Sequence, residues 1–174
     1  MRNGNALIPI LFFFVLCAIE LVAILRLNEG HLAYTLDDPY IHLALAENVA
    51  RGHYGVNAGE YSAPASSILW PLLLAPLAGT ALGPTMPLVL NLLAAALAIA
   101  IFSRIVSAAL PSGNGSATRV GQNLLVCLLV LATNLVGLVF TGMEHSLQIL
   151  TTSAVVLGLI HVGTKNRIPW WLVA

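Results

Sequence analysis

The stretch Ser67-Ile-Leu-Trp-Pro-Leu-Leu-Leu-Ala-Pro-Leu-Ala-Gly-Thr-Ala-Leu-Gly83 decides how this chain is folded. It is apolar, so it is either a membrane span or a helix that stops at the interface. It has 17 residues, where a bilayer core takes about 20. It also holds Pro71 and Pro76, and a proline inside a helix removes a backbone bond that lipid cannot replace. Both features predict a juxtamembrane or re-entrant helix over 67–83.

The charges on either side give the same answer. If 67–83 crosses, then Arg104, Arg119, Lys165 and Arg167 fall opposite Arg2, and Glu144 joins the side of Arg2. If it does not cross, all five of those basic residues share one side. Glu29, Asp37, Asp38, Glu47, Glu60 and Glu144 then share the other, with only Arg26 and Arg51 as basic company. The tendency of Lys and Arg to stay cytoplasmic selects the second arrangement. It puts the N-terminus in the cytoplasm and makes residues 28–84 one large outer loop.

Composition sets the class. The chain has 174 residues, 59% of them apolar, with 7 basic and 7 acidic side chains. A soluble domain of this length would carry about 43 charges at the usual roughly 25%. An ordinary cytosolic domain, a nucleic-acid binder with a basic face and a disordered tail are all excluded. Cys17 and Cys127 lie in apolar runs, where a small buried hydrophobe is a better reading than a disulfide. Residues 61–103, 120–143 and 145–164 contain no Asp, Glu, Lys or Arg.

The expected fold is therefore all-α: a polytopic membrane protein forming one membrane domain over 1–174. Four full spans are predicted at 6–27, 86–110, 123–140 and 146–163, with the start of a fifth at 168–174. The first is too long for a signal-peptide core and has no cleavage site after it, so it reads as retained. Glu20 inside it has to face protein or water. Asn91 and Asn134 are single polar residues placed to bond across helix pairs.

The chemistry is expected in the outer loop. In Thr35-Leu-Asp-Asp-Pro-Tyr-Ile-His-Leu-Ala-Leu-Ala-Glu-Asn-Val-Ala-Arg-Gly52, Pro39 suits a first helical position and Asp38 its N-cap. The spacing predicts an amphipathic helix over 38–51. Ile41, Ala44, Leu45 and Val49 form one face, Glu47 and Arg51 lie on another, and Gly52 ends it. A cap explains Asp38 but not Asp37. The two neighbouring carboxylates can hold a divalent cation such as Mg or Mn through oxygen. Alternatively, one is a general base and the other caps or steers it.

Thr141-Gly-Met-Glu144-His-Ser-Leu147 is a short turn between two apolar runs. The charge argument places Glu144 on the side of Asp37 and Asp38. Gly55 to Pro71 is a loop of small and hydroxylated residues leading to Trp70, an interfacial anchor. His42 and His53 are candidates for metal or phosphate. No glycine-rich phosphate loop, zinc spacing or serine-hydrolase elbow is present.

These pieces resemble the GT-C superfamily of integral-membrane glycosyltransferases, and within it the arabinofuranosyltransferase-like branch that uses polyprenyl-phosphate sugars. The first stretch is Asp37-Asp38-Pro39-Tyr40-Ile41 with Ala44, Ala46, Asn48, Ala50, Gly52, His53 and Gly55. The second is Asn57-Ala58-Gly59-Glu60 with Ser62, Pro64 and Ser67-Ile68-Leu69-Trp70-Pro71. The third is Thr141-Gly142-Met143-Glu144, similar to the family's Gly-Leu-Glu-Thr turn. The chain differs in having Asp-Asp where many members have Asp-x-Asp or Asp-Glu, and in reading Met-Glu-His at the turn.

The resemblance implies a donor of polyprenyl phosphate and sugar, a glycan or lipid acceptor, and transfer on the periplasmic side of a bacterial inner membrane during cell-envelope synthesis. It implies Asp37 as general base, Asp38 as cap or metal ligand and Glu144 as support for acceptor or metal. Tyr40, His42, His53, Glu60, Ser62 and His145 become candidate substrate contacts. Such enzymes have eight or more spans, so the chain reads as their N-terminal part. Two other readings stay open on the residues alone: a small transporter subunit, and a non-catalytic membrane scaffold or remnant.

Overall fold

A computed structural model describes residues 6–57, 59–110 and 115–165. The expected fifth-span start at 168–174 lies outside them, as do Arg2 and Arg167. Among the described residues every regular element is helical: α1 (Leu7–Leu27), α2 (Asp38–Ala50), α3 (Leu69–Ala78), α4 (Met86–Ala109), α5 (Ser116–Ala132), α6 (Leu135–Phe140) and α7 (His145–Lys165), with a 3₁₀ turn at Gly83–Thr85 leading into α4. Three helical stretches are long and apolar enough to cross a bilayer: Leu7–Leu27, Gly83–Ala109 and His145–Thr164. The chain is a multi-pass helical membrane protein.

α1, α4, α5, α6 and α7 form the bundle. α1 turns Pro9, Phe13 and Cys17 inward, a line of residues four apart on one helical face. Leu7, Ile8, Leu11, Val15 and Ile19 stay exposed, as suits a helix whose solvent is lipid. The core gathers Phe13 and Cys17 with Ile99 and Phe102 of α4, Val126 and Val130 of α5, and Leu135, Val139 and Phe140 of α6.

Of the four full spans expected, the one at 123–140 is not among these three; its helix is a shorter apolar one of 17 residues. It begins earlier, at Ser116, and breaks at Asn134, which takes the left-handed conformation with φ 49° before α6 starts. Asn is one of the few side chains that tolerates this region. Gly137 makes room for it, since a Cβ there would lie 2.8 Å from the Asn134 amide. Asn134 is exposed, so it breaks the helix rather than joining it to a neighbour.

The helix inside 67–83 is only ten residues long, about 15 Å at 1.5 Å per residue. Pro71 falls in its first turn, where no intrahelical N–H bond is due. The connection from α1 to α4 comes back to the end of the bundle it left. The Tyr34 hydroxyl donates to the Pro84 carbonyl (2.6 Å) and accepts from the Leu88 N–H (3.3 Å). α3 therefore does not cross the bundle. It pairs with α2 over that end, with Ala46 of α2 packed against Trp70, Leu74 and Ala78 of α3.

Candidate functional site

Three chain segments meet the 140–144 stretch that caps the bundle, and each holds it by a different backbone carbonyl. The Thr35 N–H donates to Phe140 O (3.3 Å). The Trp70 indole N–H donates to Gly142 O (3.0 Å), and the Asn91 amide donates to Met143 O (2.7 Å). Gly142 has φ 72°, and a Cβ on it would lie 2.7 Å from the Tyr34 ring and 2.8 Å from Pro39. Only glycine meets both demands without strain. Pro39 directly follows Asp37 and Asp38, and Glu144 lies two residues past Gly142. The junction thus brings both acid-bearing segments to one end of the molecule.

Their environments are different. Asp37 and Asp38 are exposed, and neither side chain makes a hydrogen bond or ion pair among the described residues. Asp38 is the first residue of α2, not its cap, and Asp37 occupies the cap position without a side-chain capping bond. The expected cap role for Asp38 is replaced by proline at the next position, whose fixed φ starts the helix unaided. Glu144 is only 7% exposed, and its Oε2 has no hydrogen-bond partner. Burying a polar oxygen without a partner is costly.

His42 is also deeply buried, and its Nδ1 is unpartnered. Burial pushes the imidazole below its ordinary pKa, while the negative charges of Glu144 and Asp38 pull it partway back. The inward face of α2 is Pro39, His42, Leu45 and Ala46, not the expected Ile41, Ala44, Leu45 and Val49. Packing of Ala46 on Trp70 rotates the buried stripe by about one residue and carries His42 inside.

The remaining candidates are mostly tied into the loop itself. The Tyr40 hydroxyl accepts the Tyr34 N–H (3.0 Å), and the two rings meet edge to face. The Tyr34 phenol is pushed up to about 12, chiefly by burial, against the hydrogen bond from Leu88. His53 Nε2 lies 2.9 Å from Glu60 O and 3.2 Å from Asn57 O, and its ring packs on Tyr61. These bonds make it a staple for the 53–61 loop. Asn48 donates to Gly55 O and Val56 O (2.7 and 2.8 Å) and closes the same loop onto α2.

The exposed Glu60 accepts from the Asn57 amide (3.0 Å). Ser62 is half-buried. His145 lies 3.4 Å from the Gln148 amide oxygen. Arg51 approaches Glu47 at 4.0 Å on the surface, a contact of little energetic weight. The buried hydroxyls of Ser146 and Tyr54, both without a partner, are site features that sequence reading missed. Nothing in their sequence context marks them as buried.

The carboxylates at this end do not converge as a metal cage does. Among the described residues no three His, Cys, Asp or Glu side chains are grouped to hold an ion. Asp37 and Asp38 offer two exposed carboxylates with no third ligand, where a hard divalent cation takes six or more oxygens. Two carboxylates alone do not complete the shell of such a cation. No family model matches the chain, and no curated protein or solved structure is significantly similar to it.

Proposed function

We propose that the chain is part of a membrane glycosyltransferase that moves a sugar from a polyprenyl-phosphate donor to an acceptor hydroxyl on a glycan or lipid. The reaction takes place at the bundle end that carries α2, α3 and the 141–144 turn, on the periplasmic face of a bacterial inner membrane. Asp37 is the general base, and its exposed carboxylate is open to an acceptor arriving from water. As the acceptor oxygen attacks the anomeric carbon, its proton passes to Asp37. The bond from that carbon to the phosphate oxygen breaks, and polyprenyl phosphate leaves with the electron pair. A single displacement inverts the sugar.

Glu144 holds the acceptor. Arg26 in the last turn of α1 carries positive charge for the departing phosphate.

The observation that supports this reading best is the contact of Gly142 with Pro39, which sets a buried carboxylate and a pair of free ones at the same end of the bundle. A channel or transporter needs polar side chains lining a path at mid-depth. The buried hydroxyls of the long helices, Ser103 and Ser153, bond instead to carbonyls of their own helices.

The test uses membranes carrying the whole protein and a labelled polyprenyl-phosphate sugar. Asp37→Asn is expected to lower transfer by about 10²-fold or more, the usual contribution of a positioned base. Unchanged transfer in that variant overturns the assignment.

A further inference from the structure

Beside Glu144 lies a cavity of about 160 Å³, between the start of α3 and the first two turns of α7. Cavities of about 150 Å³ admit one six-membered ring. Ser67, Leu69 and Trp70 form one wall, and Glu144, Leu147 and Gln148 form the other. Glu144 is more than nine-tenths buried, and one of its carboxylate oxygens has no partner. Glu144 lines the cavity, and its carboxylate keeps accepting capacity that the chain does not use.

We infer that this cavity binds a single neutral sugar ring, whose hydroxyls donate to Glu144 and whose C–H face rests on Leu69, Trp70 and Leu147. The lining suits that chemistry on both sides. Glu144 only accepts hydrogen bonds, the Gln148 amide both donates and accepts, and the Ser67 hydroxyl does both. A sugar hydroxyl is both donor and acceptor and can meet each of them. A purely apolar ring would leave the carboxylate unsatisfied. A metal ion would find one carboxylate where several are needed, because no three ligating side chains are grouped among the described residues. The inference rests on the glycosyltransferase reading only in naming the ring as the acceptor's. The binding itself needs no reaction.

The experiment uses the whole protein in lipid nanodiscs, with methyl glycosides of a neutral hexose and a neutral pentose as probes, followed by saturation-transfer NMR. Saturable binding is expected. Glu144→Gln should weaken it at least tenfold. Thr151→Trp, at an exposed position on the cavity rim, should abolish it without lowering the thermal midpoint.

Three results overturn the inference: no saturable binding to the unaltered protein, equal binding by Glu144→Gln, or displacement of the probe by millimolar divalent cation. A parallel transfer assay separates the two proposals. Glu144-dependent binding without sugar transfer sinks the enzyme reading and leaves the cavity assignment. Transfer without Glu144-dependent binding does the reverse.

Discussion

Gly142→Ala strikes the contact on which the site depends. Two costs add at this position. The backbone sits at φ 72°, where an L side chain costs about 1–2 kcal/mol. The new methyl would also fall 2.7–2.9 Å from the Tyr34 ring and Pro39, and forcing a methyl into packed surroundings costs about 1–3 kcal/mol more. The expected loss is about 2–5 kcal/mol. Gly52→Ala separates the two terms. Gly52 has φ 80° but nothing within 4 Å of a Cβ, so it should lose only the backbone part, about 1–2 kcal/mol.

The assay is denaturation of the purified proteins in mixed micelles with increasing SDS, read by circular dichroism, with all variants in one detergent. Gly142→Ala should unfold first, Gly52→Ala next and the unaltered protein last. Equal losses for the two glycine variants would mean that the turn does not press on Tyr34 and Pro39. The joint between the acid-bearing segments would then be absent.

Two further outcomes follow from the same geometry. Trp70→Phe leaves the Gly142 carbonyl without its indole donor at a buried position, and should cost about 1–3 kcal/mol in the same denaturation. No loss would place the indole bond elsewhere. His42 stays neutral when folded because burial lowers its pKa from 6.5, whereas the unfolded chain takes up a proton below that pH. Stability contributed by the neutral ring is therefore present above pH 6.5 and is lost as the pH falls below it. The thermal midpoint should drop between pH 7 and pH 5, and His42→Asn should flatten that drop. An identical drop in the variant would assign the acid sensitivity to other groups.

The helical membrane class was legible in the spacing of charges, because long uncharged runs have no place on a soluble surface. The interior of the bundle was less so. One asparagine in an apolar run does not disturb helical periodicity, so the break at Asn134 was hidden. It becomes visible only with Gly137 beneath the amide.

The buried side of α2 was misread by about one residue for a similar reason. Apolarity alone picks out Ile41, Ala44, Leu45 and Val49 as the inward face, and His42 is not among them. Packing against α3 decides otherwise. At the site, the burial of Glu144 depends on Trp70 and Asn91. These residues reach the turn across 72 and 52 positions of sequence, a pairing no local pattern records. The freedom of the Asp37 and Asp38 side chains also needed coordinates, since Asp before Pro reads as a cap.

Cysteine accessibility across the membrane decides whether the two acid-bearing segments open onto one face. In a background with Cys17 and Cys127 replaced by serine, Asp38→Cys, His145→Cys and Gly115→Cys are each exposed, in intact cells and then in opened membranes, to a maleimide that cannot cross lipid. Positions 38 and 145 should react from one and the same side, and position 115, at the far end of α5, only from the other. Reaction of 38 and 145 from opposite sides would contradict this arrangement, because the paired aspartates and Glu144 could not then act on one acceptor.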